Sequence, residues 1–105
     1  MSRKGDVREM ASLVGNSAAH IAIYQEGAEK EVGAYMEIAS EIAKKRSWNE
    51  REAEEFREMA VRRAGSVMRE RIKRGDLDEV EFDEALKRAE EVIHEFVREE
   101  LFQET

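Results

Sequence analysis

The chain has 105 residues, no proline, no cysteine and a formal net charge of −7. This length corresponds to one domain, and the absence of cysteine excludes disulfides, thiol nucleophiles, thiolate zinc sites and iron–sulfur clusters. The chain contains 21 Glu and 12 Arg but only four Asp and two Asn. This composition favours helices over turns and disfavours sheet folds.

The first half of the chain predicts a long helix over residues 6–46. Apolar residues recur there at alternating spacings of four and three, which is a repeat of 3.5 residues. The series is Val7, Ala11, Val14, Ala18, Ile21, Gln25, Ala28, Val32, Tyr35, Ala39 and Ile42, in which Gln25 is the one polar residue. A break at 15–17 is the open alternative, because Gly15 can end one helix and Asn16 or Ser17 can cap the next.

A second helix is predicted over residues 48–74. Ser47 and Glu50 have the spacing of a capping box, in which a hydroxyl caps the helix and Glu lies three residues later. Arg71, Lys73 and Arg74 precede Gly75, and cations in a last turn followed by glycine are typical of a helix end.

A third helix is predicted over residues 78–103. Asp78 is the expected N-cap and Glu81 lies three residues after it, as in a capping box. Leu77 is placed to pack on Phe82 across the helix start, in the manner of a hydrophobic staple. The loop around Gly75 is short, so the second and third helices should form an antiparallel hairpin.

Helix length predicts how these elements assemble. At about 1.5 Å per residue, an unbroken first helix would extend roughly 55–60 Å and each hairpin helix roughly 35–40 Å. The hairpin is too short to cover the first helix, so we expect a homodimer in which the long helices pair and complete the bundle. The residues expected at this interface are Met10, Leu13, Val14, Ile21, Tyr24, Val32 and Tyr35. A break at 15–17 would instead let the front piece fold back and complete a four-helix monomer.

His20 and His94 are the two histidines of the chain, and histidine is the residue type that most often serves as a base or a metal ligand. Glu91 precedes His94 by three residues, and Glu-x-x-His on one helix face is the motif that di-iron helix bundles use with a further Glu from another helix. Helical geometry turns Glu91 and His94 away from the apolar stripe of their helix. This orientation favours a solvated face over a metal site in the core of a monomer.

Residues 28–64 resemble the first helix pair of rubrerythrin-type ferritin-like proteins. The residues that carry the resemblance are Glu29-Lys-Glu-Val-Gly-Ala-Tyr-Met-Glu-Ile-Ala-Ser-Glu-Ile-Ala-Lys-Lys, followed by Phe56-Arg-Glu-Met-Ala. In that family the first helix supplies a Glu ligand, and the resemblance implies that Glu29 takes this position. Arg63 and Ser66 stand where the family has Glu-x-x-His on the second helix. The resemblance therefore implies a helical-hairpin scaffold whose di-iron chemistry has been lost.

Rows of carboxylates, such as Glu37 with Glu41, are the kind that MazG-like pyrophosphohydrolases use to hold magnesium around a nucleotide. Most carboxylates in this chain have a cation four residues away, as Glu41 has Lys45. Such spacing is typical of ion pairs on a helix surface. The surface reading is therefore preferred over a magnesium site.

Nucleic-acid binding is not expected. Arg88 and His94 have the Arg-x4-6-His spacing of small helical domains that cleave RNA, but they lie on an acidic helix, which repels phosphate. A basic cluster ends the second helix, at Arg62, Arg63, Arg69, Arg71, Lys73 and Arg74. The predicted hairpin places this cluster beside the acidic third helix, so intramolecular pairing is the expected role.

The most apolar stretch, residues 10–24, is shorter than the roughly 20 apolar residues that a membrane span needs. No cleavable signal pattern precedes it, so we expect a cytoplasmic protein without a membrane partner. Abundant Glu and Arg with few amides is also a composition found in heat-adapted proteins.

The sequence therefore predicts a non-catalytic interaction or scaffold protein that acts as a homodimer, needs no cofactor and could bind a further protein. The alternative is a metal-dependent helical-bundle enzyme, either a ferritin-like di-iron protein or a magnesium-dependent nucleotide hydrolase. In the alternative, Glu29, Glu91 and His94 would meet across the dimer interface and hold iron or magnesium.

Overall fold

Residues 2–102 are described by a computed structural model of the chain. Every regular element in that range is helical, which confirms the predicted all-α class. The elements are α1 (Arg3–Tyr24), α2 (Ala28–Glu31), α3 (Gly33–Lys44), α4 (Glu50–Arg74), a 3₁₀ turn (Glu79–Glu81), α5 (Phe82–Phe96) and a π-helical turn (Val97–Leu101). The predicted end of the last helix at residue 103 lies outside the described residues.

α1 is the central helix of the bundle, and α3, α4 and α5 all pack against it. After α1 the chain turns back through Gln25 and Gly27, whose φ angles of 52° and 79° lie in the left-handed region. α2 and α3 then return along α1 in the opposite direction. This direction brings Arg46, just after α3, against Asp6 near the start of α1.

The single helix predicted over residues 6–46 is therefore wrong, and so is the alternative break at 15–17. α1 continues through 15–17 without interruption. The break lies at Gln25–Gly27 because Gly27 adopts left-handed backbone angles without steric strain. A four-helix arrangement within one chain is reached, but the segment that folds back is α2–α3 and not the front of α1.

α1 and α4 lie side by side and run parallel. Their cross-contacts keep offsets of 49, 47 and 47 residues, in the pairs Arg3 with Glu52, Asn16 with Arg63 and Tyr24 with Arg71. The two backbones approach most closely at Gly15, where a Cβ atom would lie 2.7 Å from the carbonyl oxygen of Ala60 and 2.7 Å from Cβ of Arg63. Gly15 is therefore a helix-packing residue and not a helix end.

The fold-back buries much of the surface that the sequence assigned to a dimer interface. The residues in the chain's own core are Met10, Val14 and Val32, those half-buried at its edge are Leu13 and Ile21, and those exposed are Tyr24 and Tyr35. The first group packs inside the single chain and cannot contact a second subunit in this fold. The physical reason is that α3 covers the face of α1 that the predicted hairpin could not reach.

α4 has well-defined ends. The Asn49 side chain accepts a hydrogen bond from the Glu52 N–H at 2.8 Å, and the Glu52 carboxylate accepts one from the Asn49 N–H at 3.1 Å. This capping box lies two residues later than the one predicted at Ser47 and Glu50, because Asn49 is itself a strong cap with Glu three residues later. Gly75 ends α4 with a φ of 85°, as predicted.

α4 and α5 form an antiparallel hairpin, and the rings of Phe56 and Phe96 stack with their centroids 5.3 Å apart. Asp78 caps the start of the second arm, where its side chain accepts a hydrogen bond from the Val80 N–H at 3.3 Å. The first turn there is 3₁₀, and α5 follows from Phe82. The start predicted at Asp78 is thus confirmed.

A buried ion pair fastens the α3–α4 turn to α1. Asp6 is fully buried, and Nη2 of Arg46 lies 2.6 Å from its Oδ2. Among residues 2–102, Arg46 is the one cation that lies within 4.0 Å of this carboxylate. The guanidinium of Arg46 also lies 5.6 Å from the ring centroid of Trp48. The buried charge of Asp6 therefore depends on Arg46 for its compensation.

A second ion pair joins the start of α1 to the start of α4. Arg3 donates two hydrogen bonds to Glu52, at 2.8 and 2.7 Å, and a third to the Ser47 carbonyl at 2.7 Å. The hydrogen bond from Arg3 lowers the pKa of Glu52 below its ordinary value of 4.5, and the Asn49 N–H acts in the same direction. The ionised form of Glu52 is thus favoured in the folded chain.

This pair predicts a loss of stability in acid. Because the pKa of Glu52 is lower in the folded than in the unfolded chain, its contribution is present above 4.5 and disappears as the pH falls through the folded value. Glu52→Gln keeps a side chain that can complete the capping box but removes the charge. Urea unfolding at pH 7 and pH 3 should show a difference between wild type and Glu52→Gln that is larger at pH 7.

Glu58→Gln is the matched control, because Glu58 is exposed on the same helix and makes no ion pair with residues 2–102. Its difference from wild type should be the same at the two pH values within error. If both variants show the same pH dependence, the ion pair between Arg3 and Glu52 is not the source of the effect.

Candidate functional site

A cleft with a volume of about 490 Å³ lies between α1, the α2–α3 segment and the second half of α4. We call it the His20 cleft. Its apolar lining comes from all three walls and consists of Leu13, Ile23, Val32 and Val67. Its polar lining consists chiefly of His20, Glu31, Tyr35, Glu70, Arg71 and Arg74. The volume lies within the range of small-molecule sites, and the lining is more polar than is usual for them.

His20 and Glu31 form the first polar contact of this cleft. The left-handed turn at Gly27 reverses the chain, so Glu31 at the end of α2 comes back beside His20 in the last turns of α1. Nε2 of His20 lies 2.6 Å from Oε2 of Glu31. The His20 ring also lies against Tyr24, with the ring centroids 4.6 Å apart. The Glu31 carboxylate therefore fixes the orientation of the His20 imidazole through Nε2. The Nδ1 atom of the ring takes no part in this contact.

The wall of α4 contributes the positive charge. Nη1 of Arg71 donates a hydrogen bond to the Tyr24 hydroxyl at 3.1 Å and lies 3.4 Å from Asp76 Oδ2. Arg74 follows one turn later and is exposed. Within residues 2–102, Arg74 forms no ion pair at 4.0 Å or less. The cleft thus presents one guanidinium held in place and one available to a ligand.

The His20 cleft does not contain a nucleophile activated by histidine. Ser17 lines the cleft, but it is buried and its hydroxyl donates to the Leu13 carbonyl at 2.8 Å. Nucleophilic catalysis by serine needs a hydroxyl that hydrogen-bonds to the base. The arrangement is therefore suited to holding a ligand through charge and apolar contact.

The structure places the predicted metal ligands on the surface, in two different depressions. Glu29 and Glu91 line one depression between the end of α1 and α5, together with Glu26 and Glu95. His94 is exposed and lines an adjoining groove formed by α4 and α5, and Glu91 lines this groove as well. No group of three His, Asp or Glu side chains in residues 2–102 is close enough to hold a metal ion. The metal site stays a prediction that would need a second subunit.

Other residues singled out in the sequence have structural contacts. Arg88 donates from Nε and Nη2 to the Ala22 carbonyl, at 3.1 and 3.0 Å, and so caps the end of α1. Arg63 donates to Asn16 Oδ1 at 2.9 Å, and Ser66 is exposed on α4. The two positions that hold the second ligand motif in rubrerythrin-type proteins are thus a helix-packing contact and a surface hydroxyl.

The sequence did not reveal the His20 cleft. His20 and Glu31 are eleven residues apart, which is not a spacing that brings two side chains together on one helix. The one local signal was Gly27, since a glycine that allows a left-handed turn can end the first helix. Nothing in the periodicity distinguished it from Gly15 or Gly33.

Comparisons of the chain with protein-family models, with curated proteins and with solved structures gave no match. Among the helices of residues 2–102, none combines the length and apolar character required to cross a membrane.

Proposed function

We propose that this chain is a non-catalytic interaction protein that acts as a homodimer and pairs through the outward face of α3. The observation that carries the proposal is an exposed apolar stripe on this helix, formed by Ala34, Tyr35 and Ile38. Tyr35 is 54% exposed and Ile38 is 44% exposed. Exposed apolar stripes of this kind on small domains are typical of protein interfaces.

The partner that fits this face is a second copy of the chain. In a symmetric dimer each residue contact is matched by its reciprocal. An antiparallel pairing of two α3 helices centred on Ile38 would place Glu31 of one copy opposite Lys45 of the other, twice. Both side chains are exposed and carry opposite charges, so the order of charges along the face supports pairing with itself.

The proposed interface differs from the one expected from sequence. Of the seven residues expected there, Tyr35 is the one that belongs to the outward α3 face. The interior positions of α1, such as Met10 and Val14, are already occupied by the chain's own core. Pairing through α3 leaves that core intact. It covers the exposed apolar side chains of α3, which do not pack against α1.

Ile38→Lys tests this proposal. A lysine at the twofold axis would face its own copy, so we expect the dimer to dissociate, with a dissociation constant raised by about tenfold or more. Light scattering and sedimentation over a range of concentrations would measure the change. Val80→Lys is the matched control, because Val80 is 85% exposed on the 3₁₀ turn and lies outside the proposed face.

Cross-linking gives an independent reading of the same arrangement. The chain has no cysteine, so Ile38→Cys would introduce one thiol per copy. Two such thiols meet only if the axis passes near residue 38, and mild oxidation should then give a covalent dimer. Wild-type protein that is monomeric at high concentration, or equal cross-linking by Val80→Cys, would contradict the proposal.

The metal-dependent alternative keeps its three residues, Glu29, Glu91 and His94, but none of the contacts within the chain favours it. Glu91 lines one depression with Glu29 and the neighbouring groove with His94, but that groove also contains Arg57 and Arg98, and Glu29 does not line it. The pairing of α3 helices proposed here does not involve α5. The alternative therefore stays a prediction.

A further inference from the structure

The His20 cleft is lined by charged side chains of both signs. Glu31 approaches from α2, whereas Arg71 and Arg74 approach from α4. Glu70 adds a second carboxylate on the α4 wall. The charged side chains therefore amount to two acidic and two basic groups. A purely anionic ligand would leave the acidic side chains without a partner, and a purely cationic ligand would leave the basic ones without a partner.

The carboxylate of Glu31 is only partly used by the protein. His20 contacts one of its oxygens, Oε2. The Glu31 side chain is 69% exposed, whereas that of His20 is 25% exposed. Because a carboxylate can accept several hydrogen bonds, Glu31 has remaining acceptor capacity that faces away from the imidazole.

The same cleft is also lined by apolar side chains from all three walls. Leu13 and Ile23 come from α1, Val32 from the α2–α3 segment and Val67 from α4. An aliphatic group placed among them would be removed from water, at roughly 25 cal/mol for each Å² of apolar surface. The cleft thus offers guanidinium groups that can bind an anionic group, a carboxylate that can bind a cationic group, and an apolar surface, all within one volume.

We infer that the His20 cleft binds a small zwitterion with an aliphatic group, of which a free α-amino acid is the simplest form. Its carboxylate would pair with the guanidiniums of Arg74 and Arg71, and its ammonium with Glu31. The aliphatic side chain would pack on the apolar lining. The cleft belongs to a single chain, although Glu31 and Tyr35, which line it, also belong to the proposed dimer interface.

Titration of ¹⁵N-labelled protein with L-leucine tests the inference. We expect saturable amide shifts concentrated in the residues that line the cleft. Two analogues separate the charges, because 4-methylpentanoate lacks the ammonium and 3-methylbutylamine lacks the carboxylate. Each should bind about tenfold more weakly than leucine, since a hydrogen bond to a charged group contributes roughly 1.5–3 kcal/mol.

Arg74→Gln should weaken leucine binding by about tenfold, for the same loss of one charged contact. Arg69→Gln is the matched control, because its guanidinium lies on the other side of α4, 5.3 Å from the Phe82 ring centroid. It removes the same charge from the same helix and should leave the affinity unchanged. Ile38→Lys should retain leucine binding, because its cleft lining is unchanged and Glu31 no longer lies opposite Lys45 of a second copy, and this result separates the cleft from the dimer.

Four results would overturn the inference. These are the absence of saturable shifts at millimolar leucine, binding of either analogue as tight as that of leucine, an equal loss of affinity in Arg69→Gln and Arg74→Gln, and loss of binding in Ile38→Lys. Tight binding of 4-methylpentanoate in particular would identify a site for simple anions and exclude the zwitterion.

Discussion

Replacing Arg46 by methionine is expected to lower the free energy of unfolding by about 3 kcal/mol, because it leaves the buried carboxylate of Asp6 without compensation. Asp6 is fully buried, and among residues 2–102 Arg46 is the one cation within 4.0 Å of its carboxylate. Methionine preserves much of the apolar stem of the arginine side chain. Urea denaturation followed by circular dichroism would measure the change.

A second substitution identifies the charge as the cause. In the Arg46→Met background, Asp6→Asn removes the buried charge, and we expect it to recover much of the lost stability. Arg51→Met is the matched surface control, because Arg51 is 90% exposed and lies 3.8 Å from Glu55. Its effect should stay within about 0.5 kcal/mol. Similar losses in Arg46→Met and Arg51→Met would contradict the importance of the buried pair.

Gly15→Ala is expected to destabilise the chain, although alanine is the better helix former. The added Cβ would lie 2.7 Å from a backbone carbonyl oxygen of α4, and a backbone atom cannot move aside as a flexible side chain can. Overpacking costs about 1–3 kcal/mol, against a gain of about 1 kcal/mol from helix propensity. The net result should be a loss of up to about 2 kcal/mol.

Gly65→Ala, on α4, is expected to change the free energy of unfolding in the opposite direction. The nearest atom to a Cβ at Gly65 is Nη1 of Arg69, at 3.8 Å, which is ordinary van der Waals contact. Gly65→Ala should therefore raise the free energy of unfolding by up to about 1 kcal/mol. Thermal unfolding of both variants would measure the two signs together. Stabilisation by Gly15→Ala would show that α1 and α4 can separate there at little cost.

The sequence predicted one residue of the proposed α3 face, whereas it did not predict the His20 cleft. Self-association was expected from the apolar content of the first helix, and Tyr35 of the expected interface does lie exposed on α3. Met10 and Val14 were assigned to that interface on the assumption that α1 continues to residue 46, whereas the interface roles of Leu13, Ile21 and Tyr24 stay predictions. Once α3 returns along α1, Met10 and Val14 become core residues.

The sequence predicted which side chains of a helix face outward where the apolar stripe of that helix was clear. The apolar residues of the third helix indicated that Glu91 and His94 face away from the core, and both are exposed. The contact between His20 and Glu31 was not predictable in this way. It depends on a reversal of the chain between α1 and α2, and a periodic pattern holds no information on where such a reversal brings two side chains.

The sequence by itself determined the helical class, the end of α4 at Gly75 and the start of the next arm at Asp78. These depend on interactions within a few residues, such as caps, last-turn cations and left-handed glycine. The tertiary structure alone decided which glycine of the first half ends a helix. Gly15 and Gly27 give the same local signal, and the difference is that Gly15 faces the Ala60 carbonyl while Gly27 has no neighbouring atom within 4 Å of a Cβ.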